Sequence, residues 1–247
     1  MTKPICLWSG PRNVSTALMY GFAQLSSVRV IDEPLYGHYL RVSGADHPGR
    51  EEVMDAMNCD GDAVMHDLLQ QQALDSSHTF FIKHMAHHLV DLDLGFLNSV
   101  KSIFLVRDPR AMLPSLTIQL PHASLVDTGL QRQWELFKEL SDAGQRPIVL
   151  DSRELLLNPA AVLQSLCLHL GLTFEASMLT WEAGPRPEDG VWAPHWYHAV
   201  HKSTGFAPFV PKSTFPNHLQ ALLNDCMPFY EKLFEHALRA DSAEKRK

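Results

Sequence analysis

Short, wholly apolar runs alternate along the chain with stretches in which apolar residues recur at helical spacing. Pro4, Ile5, Cys6, Leu7 and Trp8 form such a run, followed at once by Gly10 and Pro11, which predicts a strand buried on both faces of a parallel sheet. Val14, Ala17, Leu18, Gly21, Phe22 and Leu25 then mark one face of an amphipathic helix. Val28, Arg29, Val30 and Ile31 then predict a second strand, ending at Asp32, Glu33 and Pro34. Strand, turn, helix and strand within about thirty residues predict a βαβ unit, with a right-handed crossover and the second strand next to the first. Further strands are predicted at 79–83, 102–106 and 147–150, separated by helical patterns such as Leu130, Trp134, Phe137 and Leu140.

Helix boundaries are also written into the chain. Asn158 and Pro159 precede an apolar-periodic stretch that stops at Gly171, which supplies the N-cap, N1 proline and C′ glycine of one helix. A last helix spans 219–237, kinked near Pro228. The alternation predicts one α/β domain over 1–238, an open, mainly parallel sheet with helices on both faces, and a polar tail at 239–247 that frays. Two irregular segments, 38–51 and 183–211, are expected to cover a site, the second being too long for a plain connection.

Composition narrows the classes of function. The 247 residues carry 21 lysines and arginines against 28 acids, a formal net charge of -7, so broad binding to nucleic acid or an anionic membrane is not expected. The four cysteines lie in no CxxC or zinc-ligand spacing. No apolar stretch reaches the roughly 20 residues of a membrane span, and no signal h-region opens the chain. A cytoplasmic protein with reduced thiols is the expectation.

Two segments carry chemistry. Gly10, Pro11, Arg12, Asn13, Val14, Ser15 and Thr16 lie between the first strand and first helix, where free N–H groups and the helix dipole attract an anion, as in a P-loop. The Walker lysine is missing and Arg12 precedes the helix instead. Alone, this segment equally fits an ordinary capped turn. The second segment reads as a strand ending at Arg107, with Asp108 as N-cap and Pro109 at N1, and Ser115 about two helical turns on. Arg107 and Ser115 could both reach one phosphate, although Arg107 could instead pair with Asp108. Pro114 should disturb that helix at a cost of about 3 kcal/mol.

The pairing of a Gly-Pro-Arg-x-x-Ser-Thr loop with an Arg-Asp-Pro-Arg run and a Ser eight residues after its first Arg resembles the sulfotransferases that use PAPS, 3′-phosphoadenosine 5′-phosphosulfate. The resemblance implies a P-loop-type, sulfotransferase-like sheet, with Gly10, Pro11, Arg12, Asn13, Ser15 and Thr16 at the 5′-phosphosulfate and Arg107 and Ser115 at the 3′-phosphate. Lys202, Ser203, Thr204 and Gly205 look like the element that closes over the cofactor in bacterial and tyrosylprotein-type members, which assigns Ser203 and Thr204 to cofactor binding. The late Gly-x-x-Gly-x-x-Lys signature of cytosolic members is absent.

Sulfuryl transfer, like phosphoryl transfer, asks the protein to position reactants and stabilise charge on the leaving oxygen. Arg12 and Lys83 are the candidates for that charge. Glu33, with Asp32 in reserve, resembles the acidic base of tyrosylprotein and trehalose sulfotransferases; His84 is a third candidate, offset by one residue from the cytosolic pattern. The expected activity is sulfuryl transfer from PAPS to a hydroxyl or amine of a small molecule, less readily a peptide, with no metal required. Alternatives are a P-loop kinase or other ATP-dependent phosphotransferase, and a non-catalytic nucleotide-binding module. His84, His87, His88 and Asp91 would share a face if helical and could then bind a metal, but HExxH is absent. Trp181, Trp192, Trp196, Tyr197 and Phe206 could stack on adenine or line an acceptor pocket. The chain holds 14 histidines, and protonation of His38, His84, His87, His88, His198 and His201 is expected to strengthen cofactor binding as pH falls toward 6.

Overall fold

The computed structural model describes residues 3–211 and 214–240. Every residue of the first strand, β1 (Ile5–Ser9), is buried, because strands pair on both sides of it and helices cover both faces. The others are β2 (Val28–Asp32), β3 (Thr79–Met85), β4 (Lys101–Val106), β5 (Ile148–Asp151) and β6 (Ala237–Leu238), in the all-parallel order β2-β3-β1-β4-β5-β6. Eleven helices accompany them among the described residues: α1 (Ser15–Phe22), α2 (Tyr36–Ser43), α3 (Arg50–Ala56), α4 (Gly61–Leu74), α5 (Pro109–Leu116), α6 (Leu125–Thr128), α7 (Leu130–Asp142), α8 (Ser152–Leu157), α9 (Pro159–Leu170), α10 (Ala193–Trp196) and α11 (Gln220–Glu235). None is long and apolar enough to cross a membrane.

Alternation along the strands divides the core. Cys6, Trp8, Phe80, Ile82, Phe104 and Val106 pack with α5, α7 and α11. Ile5, Leu7, Phe81, Ile103 and Leu105 point the other way, toward α1 and α9. Asn158 caps α9 by accepting from the Ala161 N–H at 3.1 Å, and Gly171 closes the helix at φ 73°. Asp108 and Pro109 open α5 as expected, with Asp108 accepting from the Arg110 N–H.

Several expectations are corrected. β2 does not lie beside β1, because β3 intervenes, pairing Phe81 with Ile5 on one side and with Val30 on the other. The burial pattern gives the reason: Phe80, Phe81 and Ile82 are buried on both faces, whereas β2 exposes Arg29 and suits an edge. Segment 38–51 is not all loop, since α2 occupies its first part. Ala237 leaves the last helix and pairs as β6. Arg239 stacks on Phe234, and the Ala240 N–H donates to Glu154 Oε2 at 3.0 Å; the rest of the expected tail, 241–247, lies outside the described residues.

The chain runs from β1 to one side of the sheet and later from β4 to the other, so the carboxyl ends of these two neighbours form the switch point where open α/β sheets place ligands. Side chains clasp this edge. Gln133 Nε2 from α7, fully buried, donates to the carbonyls of Trp8 at 2.9 Å and Leu105 at 3.0 Å, and Asn13 Nδ2 donates to Leu105 at 3.1 Å. The Ser152 hydroxyl lies 2.9 Å from both the Asn13 and Val106 carbonyls. Replacing Gln133 by Leu strips two buried carbonyls of a donor, and a loss of about 1–3 kcal/mol is expected in urea unfolding; an unchanged midpoint would show that the clasp adds no stability.

Candidate active site

The loop after β1 is shaped by contact with α6. A Cβ on Gly10 would lie 2.2 Å from the Thr128 carbonyl oxygen, so only glycine lets the loop pass. Arg12 and Val14 then take left-handed φ values of 62° and 61°, which carries the chain into α1. The first helical bond from Val14 is made by the Leu18 N–H, leaving the N–H groups of the first turn, with the Ser15 and Thr16 side chains, facing the cavity beyond.

Both sequence segments meet at this point. Arg12 Nε donates to Ser115 Oγ at 2.9 Å, and Arg107 Nη1 donates to the Arg12 carbonyl at 2.7 Å. Arg12 Nη1 also reaches the Trp196 carbonyl at 3.2 Å. Burial lowers the pKa of both guanidiniums, and the charge of Arg12 lowers that of Arg107 further. Among the described residues neither is in an ion pair, and Asp108 pairs with Arg110 instead. Asp151 and Asp108 act on Arg107 only from a distance, and two half-buried cations side by side, neither in an ion pair, form a site for an anion. Asn13 lines the same cavity, but its amide nitrogen is committed to β4.

The acidic end of the cavity is built on β2 and β3, whose register sets Asp32 opposite Lys83. Lys83 is fully buried, and its ammonium donates to Asp32 Oδ1 at 2.7 Å, Glu33 Oε1 at 2.5 Å and the Tyr197 hydroxyl at 2.8 Å. An ammonium has three donors, so none is left for a ligand. This corrects the expectation that Lys83 stabilises a leaving group directly. Burial alone would lower the Lys83 pKa, but the two carboxylates outweigh it and raise it. Burial raises the pKa of Glu33 against the pull of Lys83. Glu33 Oε1 is engaged, while Oε2 makes no hydrogen bond among the described residues and Glu33 lines the cavity. Asp32 is occupied by Lys83 and by the Tyr197 hydroxyl, which donates to Oδ2 at 2.7 Å.

His84 is not part of this arrangement. Lys83 and His84 are adjacent in a strand, so they point to opposite faces, and His84 stacks on Trp8 with ring centroids 4.5 Å apart. Both ring nitrogens are sealed without a partner, and burial pushes the imidazole down to about 3. The expected helical face of His84, His87, His88 and Asp91 does not exist, because β3 runs to Met85 and a 3₁₀ turn covers Ala86–His88. No group of three potential metal ligands occurs among the described residues. His87 and His88 do line the cavity, yet burial lowers His87 to about 4 and His88 well below its ordinary value. These two therefore add no charge at pH 6, and His38, His84, His198 and His201 lie outside the lining, so the expected strengthening of binding has no source among the six.

Segment 183–211 covers the site as expected. Trp192, Trp196, Tyr197, Ser203 and Phe206 line the cavity, whereas Trp181 packs in the core and donates to Ser203 Oγ at 3.1 Å. Thr204 is exposed and outside the lining. Tyr36, His47 and Asp127 are lining residues that the sequence did not single out; Asp127 belongs to a capping box with Ser124, a pattern that marks a helix start and not a site.

A profile of the sulfotransferase domain matches residues 3–237. The chain belongs to the sulfotransferase family. Sulfotransferase folds are also its structural neighbours: the sulfotransferase domain of the Synechococcus PCC 7002 olefin synthase (TM-score 0.54, 20% identity, 96% of this chain and 97% of that one) and a sulfotransferase from Alicyclobacillus acidocaldarius (TM-score 0.55, 14% identity, 100% of both). At these identities the likeness concerns the fold. Two Arabidopsis thaliana proteins named branched-chain-amino-acid aminotransferase-like protein 2 and protein 1 are each 40% identical, over 93% and 95% of this chain. This sulfotransferase-family chain spans only 41% and 42% of their lengths.

The neutral His84 makes a test of the sheet beneath the site. Its folded pKa lies below the ordinary 6.5, so the unfolded chain binds a proton that the folded one refuses, and stability drains as pH falls from about 6.5 toward about 3. His84→Phe keeps a ring against Trp8 and removes that proton, so its unfolding midpoint should fall less than the wild type between pH 7 and pH 5. Parallel pH profiles would show that His84 protonates freely in the folded state.

Proposed function

We propose that the chain transfers a sulfuryl group from PAPS to a hydroxyl or amine of a small molecule. The observation that carries this reading is the convergence of Arg12, Ser115 and Arg107, two cations outside any ion pair among the described residues and a hydroxyl, from two motifs far apart in sequence. That donor set suits a nucleotide phosphorylated at both ends. Arg12, Ser15, Thr16 and the first-turn N–H groups would hold the 5′-phosphosulfate, and Arg107 and Ser115 the 3′-phosphate. PAPS supplies an activated sulfuryl group on a phosphate leaving group. Arg12 and the helix N-terminus stabilise charge gathering on that phosphate as the bond to sulfur breaks. Glu33 takes the acceptor's proton at Oε2, and Lys83 with Asp32 and Tyr197 holds its carboxylate in place from behind. Ser203 sits on the covering segment, its hydroxyl donating to the Val200 carbonyl at 2.7 Å.

A thermal-shift panel tests the nucleotide, because a ligand that binds only the folded state raises the midpoint. A clear shift is expected with PAPS and with the 3′,5′-bisphosphate, and little with ATP and Mg²⁺; equal shifts would point to an ATP-dependent phosphotransferase. Arg107→Ala should cost about 1.5–3 kcal/mol of bisphosphate affinity by calorimetry, the scale of a hydrogen bond to a charged group.

Glu33→Gln separates catalysis from binding. Transfer should fall by roughly 10²–10⁴-fold while the bisphosphate shift persists, the range for loss of a general base. Transfer that survives in Glu33→Gln would move the base elsewhere, and no transfer by the wild type to a broad acceptor panel would favour a nucleotide-binding module.

A further inference from the structure

Three neighbouring strands begin in the same way. Lys3-Pro4-Ile5 leads into β1, Lys101-Ser102-Ile103 opens β4, and Arg146-Pro147-Ile148 leads into β5. In each the cation stands two residues ahead of an isoleucine, and Ile5, Ile103 and Ile148 all pack on the α1 and α9 side of the sheet. A residue before proline is held extended, so Lys3 and Arg146 continue the line of their strands. The register pairs Ile5 with Lys101 and Ile103 with Ile148, and the Lys101 N–H donates to the Pro4 carbonyl at 2.8 Å. Continued by two residues, it sets Arg146 level with Lys101, and Lys3 two residues further out. Neighbouring strands lie about 4.8 Å apart and β4 is the middle one, so Lys101 stands between Lys3 and Arg146 at the amino edge of the sheet.

The three cations line one groove of about 420 Å³, together with Asn98, Gln145 and His169, and no acidic residue belongs to its lining. In a chain with 28 acids against 21 lysines and arginines, that exclusion is a marked local reversal. Lys3 Nζ donates to the Asn98 carbonyl at 2.9 Å, and Lys101 Nζ to the Leu170 carbonyl, at the end of α9, at 2.5 Å. Closing a helix terminus accounts for one donor of Lys101. Two donors remain on each ammonium, and all five remain on Arg146, which makes no hydrogen bond among the described residues. None of the three is in an ion pair there. Like charges gathered in this way repel one another, and an anion between them relieves that repulsion.

We infer that this groove is a second anion site, for a small diphosphate whose two phosphoryl groups each bridge Lys101 and one of its neighbours. It is separate from the cavity of Arg12 and Arg107, which lies at the carboxyl ends of the same strands, at least about 15 Å away by the length of β1. Two phosphoryl groups engage free donors of all three cations, whereas an extended polyanion would meet a chain of net charge -7 beyond the groove. The assignment does not depend on the sulfuryl-transfer reading.

Calorimetry with pyrophosphate at fixed ionic strength tests it, on an Arg12→Ala/Arg107→Ala chain in which the first site is silent. One pyrophosphate per chain is expected, bound roughly tenfold or more tightly than orthophosphate, and Lys3→Gln/Arg146→Gln added to that chain should weaken it by a similar factor. Lys3 and Arg146 are exposed, so this second pair should leave the unfolding midpoint unchanged. The wild-type chain should show the same site, lost in Lys3→Gln/Arg146→Gln alone, which decides the matter if the arginine variant does not fold. No binding with the arginine site silenced in a folded chain, orthophosphate binding as tightly as pyrophosphate, or an affinity unchanged by Lys3→Gln/Arg146→Gln would each overturn the inference. ADP in place of pyrophosphate separates the two sources of a diphosphate: tighter binding assigns the groove to an esterified one, weaker binding to the free anion.

Discussion

The buried ammonium of Lys83 organises the acidic half of the molecule. A charge taken wholly out of water is tolerated only when its donors are met and its charge is balanced. Three chain segments answer that demand: Lys83 itself on β3, Asp32 and Glu33 at the end of β2, and Tyr197 on the covering segment. The Glu33 N–H also donates to the Lys83 carbonyl at 2.8 Å, and Glu33 takes a strained φ of 40°. The edge strand, its terminal turn and the cover are thus fixed relative to one another by one cation, and Glu33 is the member of the set with an oxygen to spare.

The arginine end is built on the opposite plan. There the cations are in no ion pair among the described residues, and what holds them is backbone and hydroxyl: Ser115 Oγ and the carbonyls of Trp196 and Arg12. Neutral acceptors orient a guanidinium without discharging it. The cavity therefore has a built-in direction, from arginines in no ion pair among the described residues to carboxylates paired with Lys83. Trp196 and Tyr197, adjacent in the chain, reach one end each, so a single segment contributes to both.

Much of this was legible in the sequence because it depends on local pattern. The runs of β1, β3 and β4 and the caps of α5 and α9 follow from short-range signals, whereas the contact of Arg12 with Ser115 and Arg107 joins two segments that the sequence assigned to opposite ends of one ligand. Topology was not local. β2 and β1 are consecutive in the chain, and only the fuller apolar character of 79–82 explains why β3 takes the place between them. Lys83 was recognisable as a strand-end cation, but its saturation depends on a tyrosine 114 residues away. His84 failed for a simpler reason: strand parity sends neighbours to opposite faces, and a histidine beside the right lysine is on the wrong side. Asp127 carries only the local signal of a helix cap, the Ser-x-x-Asp pattern it forms with Ser124, and its place in the cavity follows from where the short α6 docks.

That docking contact binds the halves together. Gly10 passes the Thr128 carbonyl so closely that no side chain fits between them, and Asp127 is the next residue along. A contact made by main-chain atoms is indifferent to the side chains on either partner except Gly10 itself. The spacing between the anion loop and α6 is therefore set by main-chain atoms, so side chains on either surface can change without altering that contact, Gly10 excepted.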